Sequence, residues 1–172
     1  VTEHKVVLGD CVEAMRAMDN GCVDLVVTDP PYNIGYDYDN EYNDTMSAAE
    51  YHTFSSNWMA EAYRVLSPTG AMWLVIGDEW AAELKVLARH LGFHLRSWVV
   101  WYFTFGVNCE KKMTRSHTHL LYFVKDQKNF IFNDQEIRVP SARQLVYKDK
   151  RANPAGRLPD DTWVLLPQHA PS

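Results

Sequence analysis

The first two-thirds of the sequence alternate short apolar runs with stretches of helical periodicity. Residues 6–8, 23–28 and 71–76 are apolar runs typical of strands. Between them, apolar side chains recur every three or four residues, after an N-cap signal at Asp10 and a capping-box signal at Ser47. Strands that alternate with helices predict an α/β fold in which a mostly parallel sheet carries helices on both faces.

The next part of the chain predicts an antiparallel addition to this sheet. A helix ends near Gly92, and long apolar runs over residues 93–103 and 119–125 are typical of strands. A turn at residues 126–129 and the apolar run 130–132 complete a predicted hairpin. We therefore expect an antiparallel hairpin at the edge of the sheet.

A length of 172 residues predicts about one domain. We expect residues 1–135 to form its core and residues 136–172 to begin a loop-rich extension, because Pro, Gly, Arg and Lys are mixed there without a period. The longest strongly apolar stretch, residues 98–107, is too short to cross a bilayer. Three scattered cysteines do not form a disulfide framework, which predicts a reducing, cytoplasmic environment.

The tetrad Asp29-Pro30-Pro31-Tyr32 follows directly after a predicted buried strand, where open α/β sheets bind ligands. Two consecutive prolines fix φ and remove two N–H donors, so that backbone carbonyls remain as acceptors. The Asp29 carboxylate is a further acceptor, and the Tyr32 ring is a flat stacking surface. These groups predict a rigid pocket for a planar group with an exocyclic amine, such as adenine or cytosine. The alternative is a Pro-Pro turn that merely ends a strand.

Other motifs accompany this tetrad: Leu8-Gly9-Asp10-Cys11, Leu66-Ser67-Pro68-Thr69-Gly70 and Trp73-Leu74-Val75-Ile76-Gly77-Asp78-Glu79. Together they resemble the family of amino-methylating DNA methyltransferases, whose catalytic motif is D/N/S-P-P-Y/F/W. The resemblance covers about residues 5–160. It implies that residues 1–135 are part of the catalytic core and that residues 136–172 begin a loop-rich DNA-recognition segment. It implies a Rossmann-like class I methyltransferase sheet with permuted, β-type motif order. It also implies S-adenosylmethionine as cofactor and double-stranded DNA as partner.

The reaction implied by this resemblance is direct methyl transfer to the exocyclic N6 amine of an adenine flipped out of the duplex. Asp in the first motif position accompanies adenine more often, and Ser accompanies N4-cytosine. The resemblance assigns catalysis to Asp29, Pro30, Pro31 and Tyr32. It assigns cofactor binding to Asp10, Thr28 and Asp29. Asp10 is also a predicted helix N-cap, and the two roles are compatible.

The Gly-rich cofactor motif that this family carries after its recognition region is absent from this sequence, since none of its 8 glycines form G-x-G. We therefore expect the methyltransferase sheet to be incomplete at its C-terminus. The cofactor site then requires a missing C-terminal half or a second copy of the chain. Two alternatives are an inactive nucleic-acid-binding remnant and an RNA or protein amide methyltransferase with a related pocket.

A basic segment lies on a chain with a net charge of −5, because residues 111–157 carry 11 basic against 4 acidic side chains. Such a segment indicates a polyanion partner, and a solvated surface is the alternative. We expect DNA contacts from seven of its side chains: Lys111, Lys112, Arg115, Arg143, Lys148, Lys150 and Arg151. No metal site is predicted, because Cys109, His117 and His119 lack a fourth ligand at suitable spacing.

Overall fold

The computed structural model describes residues 3–39, 42, 44–103 and 109–164. Its helices are α1 (Cys11–Arg16), α2 (Ala48–Val65), α3 (Ala81–His90) and α4 (Ala142–Leu145), and a 3₁₀ turn covers Asp134–Ile137. Its strands are β1 (Val23–Thr28), β2 (Leu66–Ile76), β3 (His94–Tyr102), β4 (His117–Val124) and β5 (Thr162–Val164).

The five strands form one open, mixed sheet in the order β1-β2-β4-β3-β5. β1 runs parallel to β2, β4 runs antiparallel to both β2 and β3, and β5 runs parallel to β3. In this register Thr28, the last residue of β1, lies opposite Leu74. The predicted α/β, Rossmann-like class is therefore confirmed, and β1 ends beside the last residues of β2. The described sheet is not mostly parallel, however, because β4 is antiparallel to both of its neighbours and lies between them instead of at the edge.

Helices α1, α2 and α3 contribute to one apolar core. Its buried side chains include Met59 of α2, Leu84 of α3, Leu74 of β2 and Leu121 of β4. Each crossover from β1 to β2 and from β2 to β3 advances in the same direction across the sheet. Right-handed crossovers that advance in one direction place their helices on the same face of the sheet. In the described part of the chain, α2 and α3 therefore lie on one face, whereas we expected helices on both faces.

On the opposite face of the sheet, Leu25 and Val27 of β1 are 54% and 68% exposed, whereas β2 and β4 are covered by the loop-rich chain that follows β4. Trp73 and Tyr122 stack there at 4.7 Å, and Phe130 packs against their cluster. The predicted hairpin is wrong in this detail: residues 130–132 form no strand, and the Ile131 amide donates to the Thr69 carbonyl at 3.3 Å. Because these apolar side chains cover an aromatic surface, the chain crosses the face instead of extending the sheet.

Two terminal regions of the described chain also differ from expectation. Residues 6–8 form no strand, and Val6 and Leu8 are almost completely exposed. A strand needs a hydrogen-bonding neighbour, and no described strand lies beyond β1. Conversely, the extension 136–172 contributes β5 to the sheet, where Trp163 lies opposite Trp101.

The predicted helix caps place the elements around the site. The Asp10 carboxylate accepts from the Val12 and Glu13 amides, although the Glu13 side chain pairs with Arg16 instead of completing a capping box. Ser47 and Glu50 form the complete, predicted box at the start of α2. Gly92 follows α3 with φ of 104°, as predicted for a C′ glycine. Among the described helices, none is both long and apolar enough to span a membrane.

Candidate functional site

A pocket of about 410 Å³ opens at the carboxyl end of β1. Its lining residues come from the tetrad and from the loop that follows it: Asp29, Pro30, Tyr32, Ile34, Tyr36 and Tyr38. The structure thus brings three of the four predicted tetrad residues to one cavity. Pro31 is half-buried beside it, and its carbonyl is engaged by a residue of α2. The pocket lies where open α/β sheets bind ligands.

Tyr32 is half-buried against the backbone that follows β2. A Cβ atom added at Gly77 would lie 3.2 Å from the Tyr32 ring, so the glycine allows this close approach. The pKa of Tyr32 is raised to about 12: burial is the largest cause, a hydrogen bond with Thr118 opposes the shift, and the neighbouring Asp29 carboxylate adds to it. The phenol is therefore neutral at physiological pH, and its ring can stack without carrying a charge.

Asp29 and Pro30 line the same pocket as this ring. The Asp29 carboxylate interacts with the Tyr32 hydroxyl. Pro30 is buried, and within the described part of the chain its carbonyl oxygen receives no hydrogen bond. An exocyclic amine has two N–H donors, so it can use both acceptors at once while its ring lies on Tyr32.

The loop after the tetrad is folded around a buried carboxylate. Asp44 is 3% exposed and accepts the amides of Asn33 at 2.9 Å, Ile34 at 3.0 Å and Tyr36 at 2.8 Å. The Asn33 side chain in turn exchanges two hydrogen bonds with the backbone of Met46. These contacts bring Ile34 and Tyr36 to the pocket wall.

The roles of two residues that support the site could not be recognised from the sequence alone. Asp44 was one of many acidic residues in a polar loop, and Tyr51 was one of the apolar positions of α2. The Tyr51 hydroxyl donates to the Pro31 carbonyl at 2.7 Å. The sequence signal most useful for predicting this contact is the capping box at Ser47, because it fixes where α2 begins relative to the tetrad.

The seven predicted DNA-contacting side chains fall into two groups. Three arginines already form ion pairs: Arg115 with Asp78 and Glu79, and both Arg143 and Arg151 with Asp149. The two guanidinium groups hold the pKa of Asp149 well below its usual range. The other four are exposed and have no ion pair among the described residues: Lys111, Lys112, Lys148 and Lys150. Their contact with DNA stays a prediction.

The predicted cofactor-binding residues lie near the start of α1 and the end of β1. Both amide contacts of Asp10 use Oδ1, so in the described chain Oδ2 has no hydrogen-bond partner. A free carboxylate oxygen fits the amino group of an adenine ring. Thr28 is half-buried, and the exposed Asp29 follows it directly. Only Asp29 of these three lines the pocket, and the role of all three in cofactor binding stays a prediction.

The described residues contain no group of three or more His, Cys, Asp or Glu side chains that could hold a metal ion. His117 and His119 have ring centroids 5.0 Å apart. The Nδ1 atom of His119 accepts the Trp98 indole N–H at 2.9 Å. The pair is therefore part of a hydrogen-bonded aromatic cluster on β3 and β4.

A family model for DNA methylases matches residues 23–171. The type II methyltransferase M.HpaI of Haemophilus parainfluenzae is 33% identical over 168 residues, which is 97% of this chain and 52% of that relative. The DNA adenine methyltransferase YhdJ of Escherichia coli K12 is 30% identical, with 92% of this chain and 56% of that relative covered. The chain spans about half the length of these curated relatives.

Among solved structures, TTHA0409 of Thermus thermophilus, complexed with S-adenosyl-L-methionine, superimposes with a TM-score of 0.61 at 20% sequence identity. The match covers 93% of this chain and 66% of that one. At this identity the likeness shows the fold. The family match includes the tetrad and the strands that position it. The chain therefore belongs to the DNA methylase family.

Proposed function

We propose that the chain carries the target-base pocket of an S-adenosylmethionine-dependent DNA methyltransferase that modifies the N6 amine of a flipped adenine. The observation that carries this proposal is the convergence of Asp29, Pro30 and Tyr32 on one pocket at the carboxyl end of β1. Family membership supports methyl transfer to DNA as the reaction.

In this proposal the target amine donates one hydrogen bond to the Asp29 carboxylate and one to the Pro30 carbonyl. The base ring stacks on Tyr32, which is neutral at physiological pH. Acceptors placed in this way favour a pyramidal nitrogen, whose lone pair is no longer delocalised into the ring. Positioning and electrostatic stabilisation then supply the rate, without a covalent intermediate on the protein.

The cofactor supplies an electrophilic methyl group when it is bound. Asp10 would accept the amino group of its adenine through the free Oδ2, and Thr28 and Asp29 would line the end of the site nearest the target amine. We also propose that a further segment or a second copy of the chain completes this cofactor site, because the sequence contains no G-x-G motif.

Adenine is the proposed target for two reasons. The first tetrad position is Asp, which accompanies N6-adenine more often in the family that the sequence resembles. The relative YhdJ carries the name of a DNA adenine methyltransferase. Four exposed lysines of the basic segment supply the contacts to DNA phosphates: Lys111, Lys112, Lys148 and Lys150.

The experiment is methyl transfer from labelled S-adenosylmethionine to unmethylated DNA by the chain, alone and together with the segment proposed to complete the cofactor site, with Asp29→Ala as the test variant. Asp19→Ala is the matched control, because Asp19 is an exposed turn residue outside the pocket. We expect incorporation by the wild type and by Asp19→Ala, and a loss of at least about a hundredfold in Asp29→Ala, because a group that positions the reacting atom is removed.

Equal incorporation by the wild type and Asp29→Ala would contradict the assigned pocket. Salt-dependent DNA binding by a chain that neither binds the cofactor nor transfers methyl groups would favour the alternative of an inactive nucleic-acid-binding remnant. Measurements of DNA binding and cofactor binding therefore accompany the transfer assay.

A further inference from the structure

We propose that Tyr51 is a positioning residue for the tetrad: its hydroxyl fixes the Pro31 carbonyl, so that Asp29 and the Pro30 carbonyl stay directed at one amine. This inference rests on the proposed function and adds a residue to it. Tyr51 lies 20 residues after Pro31 and on a different element, so its role is not part of the local motif.

Tyr51 is held firmly enough to act as a fixed donor. Its side chain is 0% exposed, and its ring lies 4.6 Å from the Trp80 ring and 5.9 Å from the Phe54 ring. The hydroxyl reaches the Pro31 carbonyl at 2.7 Å. Burial raises the pKa of Tyr51 above its usual range, so the hydroxyl also stays protonated in alkaline solution.

The start of α2 determines where this donor lies. The Ser47 amide donates to Glu50, and the Glu50 amide donates back to the Ser47 hydroxyl. The Tyr51 amide bonds the Ser47 carbonyl at 2.9 Å, which closes the first helical turn. Tyr51 thus lies one turn from a capped helix terminus, where fraying is suppressed.

The chain on the other side of the tetrad is anchored by Asp44. Its carboxylate accepts the amides of Asn33, Ile34 and Tyr36, and its carbonyl accepts the amide of Gly35 at 2.9 Å. Four consecutive amides, 33–36, are therefore hydrogen-bonded to one residue. Because Asp44 holds this loop, the hydrogen bond from Tyr51 to the Pro31 carbonyl is the contact by which α2 holds the tetrad itself.

The carbonyls of Pro30 and Pro31 therefore have different roles. The Pro31 carbonyl is satisfied by Tyr51, whereas within the described chain the Pro30 carbonyl has no donor. Leaving a half-buried carbonyl without its donor costs free energy, so the peptide is no longer held in one orientation. Removing the Tyr51 hydroxyl therefore releases the peptide between Pro31 and Tyr32, which misplaces both the stacking ring and the acceptor before it.

The test variant is Tyr51→Phe, which keeps the ring contacts and removes one hydrogen bond. The control is Tyr63→Phe, on the same helix, whose ring packs against Phe93 at 5.0 Å. We expect kcat for methyl transfer to fall about tenfold in Tyr51→Phe, with KM for DNA changed less than about twofold, because the reacting amine is misplaced without loss of DNA contacts. Tyr63→Phe keeps the wild-type kcat.

A second measurement does not depend on activity. Hydrogen–deuterium exchange of the peptide covering residues 32–38 is expected to be several-fold faster in Tyr51→Phe and unchanged in Tyr63→Phe. A wild-type chain without transfer activity would count against the proposed function, and this exchange comparison would still decide the role of Tyr51. Wild-type exchange in Tyr51→Phe, or a wild-type kcat in an active chain, would overturn the inference.

Discussion

Adjacent carbonyls at Pro30 and Pro31 show how single residues define the site. The Pro31 carbonyl is bound by Tyr51, and among the described residues nothing donates to the Pro30 carbonyl. Asp29 and Tyr32 stand beside that free acceptor. The side-chain types of the tetrad are readable from the sequence, because its chemistry is local. The partner of Pro31 is not, because it comes from a separate helix.

Gly77 is the residue on which the Tyr32 ring rests. A Cβ atom there would lie 3.2 Å from the ring and 3.0 Å from the Glu79 carboxylate, so Gly77→Ala must displace one of them. We expect kcat for methyl transfer to fall about tenfold, because small displacements of a positioning group are costly. Steady-state kinetics measures this, and the thermal midpoint separates it from unfolding. A folded variant with the wild-type kcat would show that the ring position is unimportant.

At the scale of elements, α2 links the site to the core. Its first turn carries Tyr51 behind the tetrad, and its last turn is bound by Lys125, which directly follows β4. The Lys125 ammonium donates to the carbonyls of Tyr63 and Leu66 at 2.7 and 2.6 Å, and its Nζ lies 4.6 Å from the Tyr63 ring. A cation at this position satisfies carbonyls that the helix leaves unpaired.

Lys125→Met removes this contact while keeping most of the apolar stem. We expect the free energy of unfolding to fall by about 1.5–3 kcal/mol, because two hydrogen bonds from a charged group to half-buried carbonyls are lost. Urea unfolding followed by circular dichroism measures the change. Lys128→Met, at an exposed position in the turn after β4, is the control. A loss no larger than that of the control would argue against a capping role.

The elements themselves were predictable to different degrees. β1, α2 and the cap at Ser47 follow from periodicity and capping signals that lie within a few residues. The predicted strand at residues 130–132 is wrong because its apolar side chains cover the aromatic surface of Trp73 and Tyr122. β5 has only three residues, and pairing with β3 defines it, so its own sequence carries little signal.

At the scale of the whole molecule, the basic charge divides into paired and unpaired side chains. Lys148 and Lys150 flank Asp149, which already binds Arg143 and Arg151. When an ion-paired arginine binds a phosphate, its contact with the carboxylate must be broken. An exposed lysine without such a pair releases only water and counterions when it binds a phosphate. Sequence composition shows the sum of these charges, but their pairing depends on the fold.

The double variant Lys148→Ala/Lys150→Ala tests this division. We expect the slope of log K against log salt for binding to duplex DNA to decrease in magnitude by about 0.9 for each lysine lost. Fluorescence anisotropy titrations at several salt concentrations measure the slope. Lys128→Ala is the control, since its side chain is exposed on the turn after β4. An unchanged slope in the double variant would remove these lysines from the DNA interface.

The proposed function of the whole molecule requires that the pocket at the end of β1 acts on adenine. The most direct measurement is nucleoside analysis by mass spectrometry of DNA incubated with S-adenosylmethionine and either the chain or its Asp29→Ala variant, each together with the segment proposed to complete the cofactor site. The predicted result is N6-methyladenine with the wild type and none with Asp29→Ala, because the carboxylate that holds the amine is gone. N4-methylcytosine as the product, or N6-methyladenine that persists in Asp29→Ala, would contradict it.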